Sequence, residues 1–364
     1  MLVQVKGSFS YFLQNIYVWF IVIGTLMRVS ARNWVVLWVG LELNMIAFLG
    51  LMRESGNLLC FKWGYGLNRV IGASVSSDSL AKYFLAQSVG TGIFLLFPLL
   101  GGDLFRARFF LSSVFFCCGL LLKGGVAPFH QWFPSVCSRI SWYLNLVLLT
   151  WQKIAPLFIL SQFSISYMRM VFIGIVNLFF GVFGALGQTQ FRPLIAYSSI
   201  AHIGWIVCLM YYSGVAFFYY FICYLIVVSP VVGIFINSNL FSFKGLMGGA
   251  IGRFNIFIIT LLLLRISGIP PFLGFFIKAY ALFSIIKTTA FVVALVYCLF
   301  AAISLSYYLN LCFIILMSTS YSLSDEDIWA GGIMSSREDY VFWGFYLLGV
   351  ISLAGLPYAR VFVL

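Results

Sequence analysis

The sequence predicts an all-α polytopic membrane protein with about eleven transmembrane helices. Charged residues make up 8% of the 364 residues, hydrophobic residues make up 63%, and the mean hydropathy is +1.07. A soluble domain carries about 25% charged residues, so a soluble fold is excluded. A crossing helix needs about 20 apolar residues, and this length therefore allows roughly ten to twelve crossings. Segments 255–264 and 291–303 are apolar on every face, which favours helices over the alternating strands of a barrel.

The polar residues exclude several classes of function. The net charge of +12 comes from lysines and arginines scattered through short segments, not from the basic stripe that binds nucleic acid. The eight cysteines form no CxxC pair and the chain has two histidines, so we expect no metal site, haem or iron–sulfur cluster. No glycine-rich nucleotide-binding motif is present, and we expect no cofactor in this chain. The N-terminal segment lacks a cleavage site and a transit pattern, so we expect it in the mature protein.

Apolar runs between charged residues place the crossings in order along the chain. Several of these runs lie next to short segments with one or two arginines, as hairpin-connected membrane helices do. The predicted crossings are 11–27, 34–52, 81–101, 109–127, 142–164, 170–188, 194–211, 214–237, 254–281, 288–316 and 341–358. The polar stretches 53–80 and 317–340 predict the two longest loops. Lysine and arginine are too evenly divided between the two sides to orient the chain.

Two segments, 120–133 and 264–280, place glycine and proline inside an apolar helix. Proline removes a backbone donor and clashes with the preceding turn, so both helices should be interrupted there. Paired interruptions in two halves are typical of repeat transporters, where the freed carbonyls face a partner or a hydrated cavity. An ordinary proline kink is the alternative for either segment alone. The predicted breaks consist of Gly124, Gly125 and Pro128 in the first segment and Gly268, Pro270 and Pro271 in the second.

Four ionisable residues lie well inside the predicted crossings: Glu42, Lys123, Lys153 and Lys278. Each mid-membrane charge costs about 2.5–3.5 kcal/mol on insertion scales, so these groups should face the protein interior, water or one another. One carboxylate cannot pair with three lysines. Because burial disfavours the charged form of lysine, the four residues predict a proton relay. The alternative for Lys153 and Lys278 is a side chain that reaches the membrane interface.

Three further residues are secondary candidates for the relay. His130 follows the first predicted break, where it could carry protons or hydrogen-bond a freed carbonyl. His202 lies in a polar stripe of an apolar segment, where proton transfer and interhelical hydrogen bonding are both open. Lys82 begins a predicted crossing and could reach the interface instead of carrying protons, and Arg265 is equally ambiguous.

A series of stretches in fixed order resembles subunit 2 of mitochondrial respiratory complex I, NADH:ubiquinone oxidoreductase, one of its antiporter-like membrane subunits. These stretches are WVGLELNMIAF (38–48), KYFLAQS (82–88), LLLKGGVAPFHQWFPSV (120–136), LLTWQKIAPL (148–157), GQTQFRPLIAYSSIAHIGW (187–205) and SGIPPFLGFFIKAY (267–280). Such a series is far more specific than any single motif. The matching part of the chain covers about residues 34–280.

The resemblance implies a fold of two inverted five-helix repeats, each with a discontinuous helix, within one integral membrane domain at 1–364. The first repeat would cover about 11–164 and the second about 170–316, followed by a C-terminal helix at about 341–358. This arrangement corresponds to the shortened mitochondrial form, which lacks the first three helices of the bacterial relative.

The resemblance also implies a role for each buried charge. Glu42 and Lys123 look like the family's charge-paired carboxylate and broken-helix lysine, Lys153 like its central lysine, and Lys278 like the lysine beside the second break. Quinone reduction elsewhere would perturb these charges and favour proton transfer from Lys123 toward Lys153 and then Lys278.

The implied setting is the mitochondrial inner membrane, with an organelle gene as the source of the chain. NADH, flavin, iron–sulfur clusters and ubiquinone are then expected in partner subunits. The expected partners are the other membrane-arm subunits of complex I, including neighbouring antiporter-like chains, together with accessory subunits and membrane lipid.

Two other classes of function stay open on the sequence. A stand-alone secondary cation/proton antiporter shares the ancestry of the fold and the buried lysines, but it would need more buried carboxylate than Glu42 supplies. A membrane-arm scaffold that conducts nothing is also compatible, since the same charges could transmit a signal without releasing protons.

Overall fold

Helices form nearly all of the backbone that the computed structural model describes, which comprises residues 2–31, 33–62, 68–100, 106–163, 166–238, 243, 253–288 and 290–320. Long apolar segments favour helix in a membrane because each backbone N–H and C=O then finds its partner inside the segment. In chain order the helices are α1 (Leu2–Ser30), α2 (Trp34–Lys62), α3 (Asn68–Leu100), α4 (Arg106–Gly124), α5 (Trp132–Cys137), α6 (Trp142–Leu149), α7 (Trp151–Gln162), α8 (Tyr167–Ala185), α9 (Phe191–Tyr212), α10 (Gly214–Ser238), α11 (Arg253–Ser267), α12 (Leu273–Ile286) and α13 (Phe291–Ser320).

These helices confirm the predicted polytopic membrane protein. Within the described residues, eight helical spans are long and apolar enough to cross a membrane. Three shorter apolar helical segments, in α4, α11 and α12, lie at the two other predicted crossings, 109–127 and 254–281. Every predicted crossing up to 288–316 coincides with one of these spans. The predicted crossing at 341–358 lies outside the described residues.

The predicted loop at 53–80 is wrong for most of its length. Helix α2 continues to Lys62 and α3 begins at Asn68. The stretch contains no proline, and polar side chains are compatible with a helix that continues beyond the apolar layer. Polarity therefore marked the edge of the apolar layer and not the end of the helix. The predicted loop at 317–340 begins as helix up to Ser320, and its remainder lies outside the described residues.

The chain divides into two compact units, Met1–Ile165 and Ser166–Leu364. In the first unit, α2 packs against α1 and α3, α4 against α3, and α7 against α1 and α4. In the second unit, α9 packs against α8 and α10, and α12 lies against α9, α10 and α13. The boundary between the units falls in the interval between the two predicted repeats. Their inverted symmetry stays a prediction.

Glycine allows α3 and α4 to pack at backbone distance in the first unit. A Cβ placed on Gly119 would lie 2.8 Å from the backbone nitrogen of Phe94 and 2.9 Å from the carbonyl oxygen of Gly90. Backbone atoms inside a helix cannot move aside as a flexible side chain can. Small residues at such seams let membrane helices approach closely, and this seam holds the end of α4 against α3.

Replacing Gly119 with alanine should lower the free energy of unfolding by roughly 1–3 kcal/mol, because the added methyl group forces α3 and α4 apart. Gly92→Ala is the matched control, since a Cβ on Gly92 meets nothing within 4 Å. Thermal unfolding of the purified protein in mild detergent measures both variants. Equal melting temperatures would contradict the packing assigned to Gly119.

Candidate functional site: two interrupted helices and their lysines

The first predicted break lies in the first unit, where α4 ends at Gly124. Gly125 adopts a left-handed conformation with φ of 65°, which a side chain would strain. The N–H of Gly125 donates to the carbonyl of Leu122 at 3.2 Å, and the N–H of Val126 donates to that of Leu121 at 2.9 Å. This pair of hydrogen bonds is the Schellman ending of a helix. The interruption is therefore built into the backbone, and the predicted break is confirmed.

Side chains from α3 and α5 supply further donors to the end of α4. The indole Nε1 of Trp132 donates to the carbonyl of Leu122 at 3.1 Å, and Nε2 of Gln87 donates to the carbonyl of Lys123 at 3.1 Å. The last carbonyls of a helix have no partner within the helix. Gln87 and Trp132 meet this need away from bulk water.

Lys123 lies in the last turn of α4 and is 6% exposed. A cation is favourable at this end of a helix because the aligned peptide dipoles place partial negative charge there. Within the described residues no ion pair shorter than 4.0 Å joins Lys123 to Glu42; the ion pair that is formed, Arg139 to Asp78 at 2.8 Å, is solvent-exposed. The structure therefore places Lys123 at the end of α4 without a direct ion pair to Glu42.

Lys153 on α7 lies beside the same break and is 2% exposed. Its Nζ is 4.9 Å from the centroid of the Phe133 ring. The Phe133 ring also lies against the break, since a Cβ on Gly125 would be 2.9 Å from that ring. Thr150, with φ of −111° and ψ of −71°, interrupts regular helix one turn before Lys153. Two lysines therefore flank one interrupted helix within the first unit.

A pair of amide hydrogen bonds fixes α2 against α7. Nδ2 of Asn44 donates to Oε1 of Gln152 at 2.8 Å, and Nε2 of Gln152 donates to Oδ1 of Asn44 at 3.1 Å. Asn44 follows Glu42 by two residues and Gln152 directly precedes Lys153. Since both amides are satisfied by each other, the pair sets the register of the two helices that carry these charges.

The second predicted break lies in the second unit, where α11 ends at Ser267. Gly268 has φ of 89°, and its N–H donates to the carbonyl of Leu264 at 3.3 Å, which is the simpler glycine ending of a helix. Lys278 on α12 is 9% exposed, and its Nζ donates to the Ser267 carbonyl at 2.8 Å and to Oγ of Ser304 at 3.4 Å. Here too the predicted break is confirmed, and a lysine amine binds the end of the interrupted helix.

A cavity lies beside Lys278 within the second unit. It offers about 20 Å³ to the centres of water molecules, which is room for about one water. Its lining also includes His202, whose Nδ1 lies 3.0 Å from the hydroxyl of Tyr220. The polar residues that line the cavity are Ser198, His202, Lys278, Ser304, Tyr307 and Tyr308. Lys278 and His202 therefore line the same cavity of the second unit.

The remaining predicted residues lie at the edges of these sites. His130 is 7% exposed and belongs to the segment between α4 and α5. Lys82 is exposed on α3, next to the buried Tyr83. Arg265 is 0% exposed, and its Nη2 donates to the carbonyl of Ile226 at 2.8 Å. That carbonyl lies four residues before Pro230 in α10, and proline cannot supply the donor that a helix normally provides there.

Several residues of the two sites were missed by the sequence analysis. Gln87, Asn44 and Gln152 are polar residues inside apolar segments, and that signal was available. Arg28 was placed outside the first predicted crossing, which ended at residue 27, whereas α1 continues to Ser30 and buries it. Because the predicted crossing ended one residue before Arg28, the sequence did not indicate that this arginine is buried.

A family model described as NADH:quinone oxidoreductase/Mrp antiporter, TM, matches residues 31–304. The chain belongs to this family. The matched segment contains both interrupted helices and all four charged residues of the predicted relay, of which the three lysines are buried.

Curated relatives and solved structures agree with this assignment. NADH-ubiquinone oxidoreductase chain 2 of Anopheles gambiae is 34% identical over 83% of this chain and 86% of its own length. Its namesake in Locusta migratoria is 28% identical over 92% and 93%. A chain of respiratory complex I from Thermus thermophilus shares the fold with a TM-score of 0.75 at 20% identity, over 95% of this chain and 78% of that one. A chain of the Mrp complex from Dietzia sp. gives 0.74 at 15% identity, over 95% and 75%.

Asn44→Ala and Gln152→Ala should each destabilise this family member, and the double variant should lose less than the sum. Each single change leaves one buried amide without its partner, so a coupling of about 1 kcal/mol is expected. Thermal unfolding measures the three variants. Asn44→Ala with Ser161→Ala is the control pair, because the Ser161 hydroxyl donates to Phe158 on its own helix. If the two losses of stability were additive in the Asn44/Gln152 pair, as they should be in the control pair, the hydrogen-bonded pair assigned to Asn44 and Gln152 would be contradicted.

Proposed function

We propose that this chain is the proton-translocating, antiporter-like subunit of respiratory complex I. The observation that carries the proposal is the placement of buried lysines beside the breaks of two interrupted helices, Lys123 with Lys153 in one unit and Lys278 in the other. The relatives named NADH-ubiquinone oxidoreductase chain 2 support membership of that complex. The chain is a multi-pass membrane protein.

The proposed chemistry is the stepwise transfer of protons between amines and water. An ammonium that gives up a proton breaks one N–H bond and leaves a neutral amine, which can take the next proton. Burial disfavours the charged amine and a carboxylate favours it, so in this proposal small changes in the influence of Glu42 on the buried Lys123 move the proton. In the first unit the transfer runs from Lys123 toward Lys153. In the second unit it passes through Lys278 and the cavity that it shares with His202.

The proposed setting is the mitochondrial inner membrane, and the chain is encoded by the organelle. Electron transfer belongs to partner subunits, which hold flavin and iron–sulfur clusters, oxidise NADH and reduce ubiquinone. This chain contacts the other membrane-arm subunits, including neighbouring antiporter-like chains. Accessory subunits and membrane lipid complete its surroundings.

The alternatives make different demands on the chain. A stand-alone cation/proton antiporter needs buried carboxylates, and the sequence contains no acidic residue between Asp103 and Asp325. A scaffold that conducts nothing needs no lysine amine at a helix end.

Purification from native membranes in mild detergent tests membership of the complex. Mass spectrometry should find flavin and iron–sulfur subunits with this chain, and the material should catalyse NADH:quinone reduction. Isolation of an active small transporter without those companions would favour the antiporter instead.

Replacing Lys123 or Lys278 with methionine should abolish most proton translocation while the complex still assembles. Loss of a positioned proton carrier slows transfer by roughly 100-fold or more. Lys287→Met is the matched control, because Lys287 is exposed at the end of α12, nine residues from Lys278. Proton uptake per NADH oxidised, measured in proteoliposomes, compares the three variants. Unchanged proton uptake in Lys123→Met would favour the non-conducting scaffold.

A further inference from the structure

The amine of Lys278 lies between acceptors from two other helices of the second unit. Its Nζ donates to the carbonyl of Ser267 at the end of α11 at 2.8 Å, and to Oγ of Ser304 on α13 at 3.4 Å. All three residues are buried. An ammonium has three N–H groups, whereas a neutral amine has two N–H groups and one lone pair. The two acceptors can therefore engage both N–H groups of the neutral amine and leave its lone pair.

The hydroxyl of Ser304 acts as an acceptor toward this amine. Its one hydrogen is donated to the carbonyl of Ala301 on the same helix, at 2.8 Å. The carbonyl of Ser267 is an acceptor as well. Because neither neighbour directs a hydrogen at the nitrogen, neither of them occupies the lone pair of the neutral amine.

Two glycines hold the stem of Lys278 against the end of α11. A Cβ on Gly274 would overlap the carbonyl oxygen of Arg265, so the absence of a side chain lets α12 pack directly on α11 one turn before Lys278. A Cβ on Gly268 would lie 3.2 Å from Cδ and 3.3 Å from Nζ of Lys278. The backbone of the second break thus fixes where the amine lies, and Ser304 supplies a second contact from another helix.

The same serine lines the cavity beside the amine. Ser304 and Lys278 share this lining with His202 on α9, and the cavity has room for about one water. Hydroxyl, imidazole and amine groups are the polar partners that a water in such a cavity needs. The position of the nitrogen that the two acceptors leave can therefore meet a water in this cavity.

We propose that Ser304 is a positioning residue for proton transfer through Lys278, because its Oγ holds one N–H of the amine and directs the lone pair into the cavity. A hydronium ion in the cavity then gives one proton to the lone pair, which forms the third N–H bond and leaves a neutral water. Release of the proton reverses this step. The inference rests on the proposed function, in which Lys278 carries protons.

A serine in a helix often has a purely local role, in which its hydroxyl bonds a carbonyl of the preceding turn. Ser306 on the same helix shows that role, since its hydroxyl donates to the carbonyl of Ile303 at 2.8 Å and the residue is exposed. Ser304 makes the same local bond and also accepts from Lys278. Ser306→Ala is therefore the matched control for Ser304→Ala.

The test follows the initial rate of proton uptake by the assembled complex in proteoliposomes after addition of NADH, with a native gel to measure assembly. Ser304→Ala removes the acceptor, and Ser304→Cys keeps nearly the same shape with a weak sulfur acceptor. Both should lower the rate roughly ten-fold, because a hydrogen bond to the charged amine is lost. Ser304→Thr keeps the hydroxyl and should retain most of the rate, and Ser306→Ala should match the unmodified chain.

A role of Ser304 in packing alone would reverse this order, because alanine and cysteine fit the space of serine while threonine adds a methyl group. The proposal would be overturned by a normal rate in Ser304→Ala, by an equal loss in the alanine and threonine variants, or by failure of both Ser304→Ala and Ser304→Cys to assemble. If Lys278→Met lost proton uptake while Ser304→Ala kept it, the positioning role alone would be wrong. Normal uptake in Lys278→Met would contradict the proposed function of Lys278 and this inference with it.

Discussion

Carbonyl groups at the ends of two interrupted helices are the constraint on which both sites depend. A helix that stops inside an apolar layer leaves its last carbonyls without partners, and water is scarce there. The chain meets this need with the backbone N–H groups of Gly125, Val126 and Gly268, and then with side-chain donors. Lysine suits this place because its amine donates hydrogen bonds and its charge is favoured by the helix dipole. The same amine can also carry a proton, so one side chain can both stabilise a helix end and serve the proposed proton transfer.

The two units satisfy this constraint in different ways. In the first unit the neutral amide of Gln87 binds the carbonyl of Lys123, so that carbonyl does not need the lysine amine. In the second unit the amine of Lys278 itself binds the carbonyl of Ser267. No acidic residue occurs between Asp103 and Asp325, so the described part of the second unit has hydroxyl and carbonyl groups, and not carboxylates, as acceptors for its lysine. In the proposed relay the carboxylate of Glu42 therefore acts in the first unit.

Sequence and structure agree most closely where composition and glycine–proline pattern decide the outcome. The crossings up to 288–316 and both interruptions were predicted, because long apolar runs must form helix in a membrane and because proline and glycine end it. The predictions failed where polar residues were taken to mark the end of a helix. The stretch 53–80 is largely helical, and Arg28 is buried although it follows the predicted end of the first crossing.

The sequence by itself determined that the chain is an all-α membrane protein with two interrupted helices and four charges inside its apolar runs. These conclusions follow from local properties, namely hydrophobicity, helix length and backbone restriction. Only the tertiary structure decided which polar groups meet. The Asn44–Gln152 pair spans 108 residues, and the Lys278 amine reaches Ser304 across 26. Such contacts depend on how the helices pack, on which glycines allow a close approach and on which donor lies beside a freed carbonyl. None of these can be read from a local sequence pattern.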